Sequence, residues 1–342
     1  MSKPSLLWAR YKLRLRRKRL FLRAFRKRRE LVSVSRKVGS IRLSDVLLFS
    51  TMRNEIQRLP YFLEHYRRLG IAHFLIVDNA SDDGTGAYLA SQPDVSVWRT
   101  TASYKASRFG MDWLTALLWR FGKNHWTITA DADELFIYPQ WEEHKLPALT
   151  HWLDNEGVDA VGATMIELYP KGPIAAQSYE PGQDPTEVLG WFDAYGYWVQ
   201  RQPRMGNLWL QGGPRARCFF SDEPDKAPSL NKIPLIRWDR QFVYVSSTHN
   251  ALPPRLNLTY DTATQTKFSG ALLHTKFLPD ASKRAVEEKE RREHFADPER
   301  FEAYYNALEK SPDLWCETSV RYKGWQQLEA FGLISRGNFP KN

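Results

Sequence analysis

Asp131-Ala132-Asp133-Glu134 follows an apolar run, Trp126 to Ala130, that reads as a strand. Two carboxylates at spacing two, placed where a strand stops, can both reach one cation as the backbone turns. Hard oxygen donors of this kind select Mg2+ or Mn2+. A lone Asp-x-Asp is ordinarily a solvated acidic turn. Its place at the carboxyl end of a strand favours metal, because open α/β sheets bind ligands there.

Two further polar clusters sit at such ends. Asp78 follows the apolar run Ile71 to Val77 and opens Asp78-Asn79-Ala80-Ser81-Asp82-Asp83-Gly84-Thr85. Ser81, Asp82 and Gly84 suit a turn and a helix cap. Asp78 precedes that cap and can accept hydrogen bonds from a nucleoside, either a uracil N–H or ribose hydroxyls. Arg53-Asn54-Glu55 closes an earlier strand, Asp45 to Ser50. Arg53 could meet a phosphate, and Asn54 or Glu55 a base or ribose; helix capping by Asn54 is the plainer reading. Arg108, at the start of a helix, is either a donor contact or a surface arginine.

Of eight histidines, His65, His73, His125, His144, His151 and His294 lie in plain helical, strand or loop contexts. His249 ends a predicted strand, Phe242 to Thr248, before a Pro-rich loop. There a single imidazole can complete a metal site begun by two distant carboxylates, with a structural role as the competing reading. His274, in Leu272-Leu273-His274-Thr275-Lys276, is a second candidate.

The elements that must position these residues alternate. Strands are expected over 45–50, 71–77, 95–99 and 126–130. Helices are expected from Pro60 to Leu69, closed by Gly70, from Gly84 onward, and from Arg108 to Phe121. Strand–helix–strand order implies a parallel sheet. Further strands are expected over 158–168, 241–246 and 270–277. The segment 170–234, dense in Gly and Pro, reads as loops and hairpins over a site. Helices are expected over 281–309 and 314–333.

Charge is divided unevenly. Residues 1–42 hold 16 Lys or Arg against Glu30, a net +15, while the other 300 residues come to −5. Residues 1–30 read as one cationic helix with Leu, Phe, Trp8 and Tyr11 interspersed. An anionic membrane surface is the expected partner of that arm, ahead of nucleic acid or a solvated tail. Two cysteines make no disulfide framework and fit a reducing compartment. No apolar run approaches the roughly 20 residues of a membrane span, and no secretory signal is expected. The localisation these features imply is cytoplasmic, peripheral on the inner face of the cell membrane. Thirteen Trp lean toward carbohydrate, since sugars stack on flat aromatic faces.

Thr51-Met52-Arg53-Asn54-Glu55, Leu63-Glu64-His65-Tyr66-Arg67-Arg68-Leu69-Gly70, His73 to Asn79, Ser81 to Thr85 and Asp131 to Glu134 together resemble bacterial glycosyltransferase family 2. The resemblance covers roughly residues 45 to 330. It implies an α/β chain of GT-A type, with a Rossmann-like nucleotide-binding half fused to a mixed-sheet acceptor half and C-terminal helices. On that reading 1–42 is the basic arm and 43–335 the catalytic domain, its nucleotide-sugar half about 43–140 and its acceptor half about 141–335. Asp78 would bind the nucleoside. Asp131 and Asp133 would hold Mn2+ or Mg2+ and the diphosphate, with His249 as a third ligand. Asp193, Asp222 and Glu223 are the candidates for the general base. The expected reaction moves a sugar from a UDP-sugar to a glycan or lipid-linked acceptor in surface polysaccharide synthesis. A nucleotidyltransferase and a non-catalytic membrane-surface adaptor are the rivals. The absence of glycine from Thr51 to Glu55 counts against the first, and the intact Asp-x-Asp against the second.

Overall fold

The computed structural model describes residues 3–260, 266–291, 293 and 301–340. Its centre is a run of strands too apolar to face water on either side. Leu47, Leu48 and Phe49 are consecutive and fully buried. Alternation sends Leu48 into one core with Phe74, Ile76 and Ile128, and Leu47 and Phe49 into another with Leu75, Val77 and Trp113. Strands covered on both faces read as continuous apolar runs, as these do.

Among the described residues nine strands form one mixed sheet: β1 (Val32–Ser35), β2 (Val46–Met52), β3 (Ile71–Asp78), β4 (Val95–Arg99), β5 (Trp126–Thr129), β6 (Glu134–Ile137), β7 (Ala160–Glu167), β8 (Asn231–Arg237) and β9 (Ser269–His274). Their order is β1-β4-β3-β2-β5-β8-β7-β9-β6. Strands β4, β3, β2 and β5 are mutually parallel. β8 is antiparallel to both β5 and β7, β9 is parallel to β7, and β6 closes the edge antiparallel to β9. The fold is thus α/β, with a parallel Rossmann-like half continued by a mixed half.

The helices between the first strands match their sequence signals. α2 (Leu59–Leu69) carries Pro60 in its first turn, buries Phe62, Leu63, Tyr66 and Leu69, and ends at Gly70 with φ +95°. α3 spans Thr85–Ser91. The next helix is shorter than expected. α4 runs only Met111–Leu117 and then widens into a π-type turn at Leu118–Gly122. Its start is delayed because Arg108, Phe109 and Gly110 all have positive φ, 57°, 57° and 75°. Non-glycine residues in that region are costly and persist where packing holds them.

Three other expectations are corrected. β8 lies inside the sheet although Pro234 falls within it and the segment reads as loop. Its register with β7 shifts between Lys232 and Leu235, and this bulge accommodates the missing N–H. The strand expected over 241–246 is only Val243–Tyr244, paired with Ala251–Leu252 outside the main sheet. The helix expected over 314–333 is confined to Trp325–Ala330, because Val320–Arg321 pairs as a short strand with Trp191–Phe192 and Gly324 has φ +122°. Of the helix expected over 281–309, α5 (Ala281–Arg291) and a second piece, Glu302–Glu309, are present; His294 lies outside the described residues.

The basic arm is not detached. α1 (Lys3–Lys27) packs along α4, and β1 joins the sheet antiparallel to β4. Among the described residues no helix is long and apolar enough to cross a membrane.

Candidate functional site

Because β2, β3 and β5 are parallel, the residues after Met52, Asp78 and Thr129 emerge at one edge of the sheet. β8 runs the other way, so its first residues, Asn231 and Lys232, return to that same edge. β9 is parallel to β7 and brings His274 there as well. A cavity of about 770 Å3 opens at this edge, and Arg53, Asp131, Asp133, Lys232, His249 and His274 are on its wall. Among the described residues ten Lys or Arg line it against five Asp or Glu. Such a wall favours a polyanion.

The two aspartates of the turn are held differently. Asp133 Oδ2 lies 3.1 Å from His274 Nε2, and the Asp133 carbonyl accepts from the Thr275 N–H at 2.7 Å. Burial alone would raise this carboxyl, but His274 and then Lys276 hold it well below the usual carboxylate range. Asp131 is pushed upward, by burial first and then by Glu134, with Lys232 opposing. Lys232 Nζ lies 2.8 Å from Glu134 Oε1 and 3.6 Å from Asp131 Oδ2. A cation beside Asp131 would relieve the repulsion between it and Glu134.

His274 also faces Glu167 Oε1 through Nδ1, at 3.4 Å, and Arg215 pairs with the same carboxylate. Burial disfavours a charged imidazole here. Asp133 and Glu167 nonetheless raise His274 above its ordinary range.

His249 sits in a short turn, Ser247–His249, and not at a strand end. Its Nδ1 is 2.6 Å from the Asn231 carbonyl, and Asn231 Nδ2 donates back to the His249 carbonyl at 3.0 Å. Nδ1 therefore carries the proton, which leaves Nε2 as the free lone pair. Burial, then Lys232, depresses this histidine to about 3, so the ring is neutral.

Arg53 Nη1 donates to the carbonyls of Asn79 and Ala80, both at 2.9 Å, so it braces the β3 loop while lining the cavity. Asn54, with φ 52°, accepts from the Asp82 N–H at 3.0 Å, and its own N–H donates to Ser81 Oγ. Glu55 is buried and paired with Arg58 and Arg284. Arg108 Nε donates to Asp112 at 2.7 Å and Nη1 to the carbonyls of Tyr244 and Val245; its Nη2 is buried without a partner among the described residues. Asp78 caps its own turn, accepting the Ser81 N–H at 3.0 Å, and is buried 3.9 Å from Arg99. It does not line the cavity.

Asp193, Asp222 and Glu223 also lie off the cavity wall. Asp193 is engaged by Arg217 and by the Tyr169 hydroxyl. Asp222 and Glu223 are exposed, and Glu223 pairs with Lys226. Among residues with no assigned role in the sequence reading, the structure adds Lys232, Glu134, Glu167, Arg215 and Arg284. Lys232 and Arg215 lay in the segment that reads as loops and Arg284 in a plain helix, while Glu134 closes the Asp131 motif and Glu167 sits in an expected strand, neither with a partner that spacing could name.

The donor set suits a divalent cation of the Mg2+ or Mn2+ class. Asp131, Asp133 and His249 lie on one cavity wall, and carboxylate oxygens are the donors that Mg2+ takes together with phosphates and water. Among the described residues no group of three or more His, Cys, Asp or Glu side chains is placed to hold a metal ion.

No protein-family model matches the sequence, and no curated protein does. Among solved structures, a mannosyltransferase from Pyrobaculum calidifontis in complex with GDP-Man and Mn2+ is 18% identical at a TM-score of 0.27. The match covers 49% of this chain and 44% of that chain. A UDP-glucose pyrophosphorylase from Acinetobacter baumanii is 12% identical at a TM-score of 0.28, covering 77% of this chain and 99% of that chain. This chain therefore spans less than half of the mannosyltransferase. At such scores these likenesses carry no argument about what the chain does.

Proposed function

We propose that the chain is a transferase that moves a glycosyl group from a nucleotide-sugar donor, UDP-linked, to a hydroxyl of a glycan or lipid-linked acceptor. The observation that carries this reading is the Asp131/Asp133 pair at the end of β5, on the wall of a cavity whose other charges are mainly Arg and Lys. A diphosphate satisfies both halves of that wall, the cationic side directly and the carboxylates through a shared cation. Asp131 and Asp133 would hold Mn2+ or Mg2+, with His249 Nε2 as a third donor, and the ion would stabilise charge on the departing diphosphate. Asp78 and Asn54, which lie behind the cavity wall and hold the 78–85 loop, are proposed to shape the nucleoside end through that loop, and Arg53, Glu55 and Arg108 to shape the donor pocket.

In the reaction the acceptor oxygen bonds to the anomeric carbon. The bond from that carbon to the diphosphate oxygen breaks, and the nucleoside diphosphate leaves with the electron pair. The acceptor proton passes to a carboxylate. Asp193, Asp222 and Glu223 do not face the cavity, so the base is assigned to an acid that does. Glu288 on α5 lines the cavity outside both the Asp131–Glu134 turn and the Glu55 ion pairs. Lys232 and Arg215 balance charge behind the reacting centre. The setting proposed is bacterial surface polysaccharide synthesis, on the cytoplasmic face of the cell membrane.

The test is a thermal-shift panel of nucleotide sugars with and without Mn2+, followed by product analysis. Release of nucleoside diphosphate with a sugar moved to acceptor supports the reading. Release of pyrophosphate from a nucleoside triphosphate and a sugar phosphate would assign nucleotidyl transfer instead. Indifference of every nucleotide sugar to Mn2+ would overturn both.

A further inference from the structure

α1 has two apolar faces, on opposite sides. At 100° per residue, Leu13, Leu20 and Ala24 fall on one side, and all three are buried. Leu13 and Leu20 pack on Met205, Val243, Val245 and Leu252. Trp8, Tyr11, Leu15, Leu22 and Phe25 fall within an arc of about 100° on the other side. These five are exposed, by 57%, 50%, 36%, 49% and 50%. Two opposed stripes cancel in any sum over the helix, which is why the sequence shows no single apolar side.

The helix carries eleven Lys or Arg and no acid. Among the described residues only Arg23 and Lys27 of these are ion-paired, with Asp112 and Glu30. Lys12 sits over the Trp8 ring, 5.2 Å from its centroid, and Trp8 stacks on Tyr11 at 5.6 Å. The outward stripe is therefore apolar down its middle, with Lys18 and Arg26 within its arc, and flanked by free cations.

We infer that α1 is a rigidly docked helix whose outward stripe seats on an anionic lipid bilayer. Charge complementarity selects that occupant. A basic surface alone would fit nucleic acid, but five half-exposed apolar side chains in line gain nothing from phosphates and do gain from the acyl boundary. A second copy of the helix would set eleven cations against eleven more. The inward stripe and Arg23 make the helix a fixed foot and not a loose tether. Buried Asp112 accepts from Arg23 at 2.9 Å and from Arg108 of the cavity wall at 2.7 Å. The membrane-facing helix and the cavity thus share one carboxylate, and seating α1 sets how the cavity stands against the bilayer. The inference does not depend on which reaction the cavity performs.

Co-sedimentation of the full chain with vesicles tests it. Phosphatidylcholine vesicles containing phosphatidylglycerol are expected to bind the chain, and pure phosphatidylcholine vesicles are not. Replacing Trp8, Tyr11, Leu15, Leu22 and Phe25 together by Ser is expected to weaken vesicle binding about tenfold or more, with Tm and Mn2+-dependent nucleotide binding unchanged. Leu13→Ser with Leu20→Ser is expected to lower Tm, as a docked face requires. The inference is overturned by equal binding to both vesicle types, or by a stripe variant that keeps its Tm and binds like wild type. Binding to duplex DNA that anionic vesicles cannot displace would also overturn it.

Discussion

His274 Nε2 lies 3.1 Å from Asp133 Oδ2, and this contact ties the end of β9 to the turn after β5. Through its other nitrogen the same ring faces Glu167. One imidazole therefore separates a half-buried acid, Asp133, from a fully buried one, Glu167, which no residue spacing relates.

Removing that ring should destabilise the fold. In His274→Ala, Asp133 and Glu167 lose a shared partner, and breaking a buried pair costs about 3–5 kcal/mol. The expected result is a large drop in Tm, partly recovered by His274→Gln, which keeps a donor. An unchanged Tm in the alanine variant would show that the imidazole is dispensable.

Asp131→Asn keeps the volume of the turn but removes the carboxylate that Glu134 crowds. Calorimetry of UDP should show wild-type affinity rising with Mn2+ and the variant losing that gain, by about tenfold or more, or about 1.4 kcal/mol. His249→Phe should lose part of the same gain. UDP binding without metal should be alike in all three proteins. A full Mn2+ response in Asp131→Asn would remove this turn from the site.

Glu288→Gln should leave donor binding intact and slow transfer. A base of this kind contributes about 100-fold or more to rate, so kcat is expected to fall by that factor while the UDP-sugar affinity in calorimetry stays at the wild-type level. An unchanged kcat would clear Glu288 of the role.

His65 makes the fold acid-sensitive. It is buried, its Nε2 is 2.9 Å from the Phe136 carbonyl, and burial lowers it from 6.5 to about 4. The unfolded chain then binds the proton first. Stability falls as pH drops from about 6.5 to about 4, by about 3 kcal/mol from this group, and is constant above that window. Denaturant titrations across that range should show a shallower slope in His65→Phe, whatever its stability at neutral pH. Equal slopes would place the acid sensitivity elsewhere.

The parallel half of the fold was legible because each strand is a buried apolar run and each helix is punctuated. Val95 to Arg99 is a strand with those bounds, and Pro60 and Gly70 mark α2. The later half was not legible for a local reason in each case. Pro234 argues against a central strand, yet a bulge admits it. Three residues with positive φ shorten α4, and nothing in Arg108-Phe109-Gly110 beyond the glycine announces them.

What the sequence determined by itself is where polar clusters follow apolar strands. That order alone puts Arg53, Asp78 and Asp131 near one edge, because parallel strands share a direction. Only the tertiary structure decided which of them share a cavity and what stands opposite. Lys232 and His274 come from segments roughly 100 to 140 residues further along the chain than Asp131, and they reach its edge because β8 is antiparallel to β5 and β9 is inserted beside β7. Asp78, at a strand end like the others, is turned into its own loop by the Ser81 N–H. The arm shows the same division. Its charge is plain in the sequence, but which leucines face protein and which face outward depends on Met205 and Val243, residues some 180 and more positions away that supply the surface on which α1 lies.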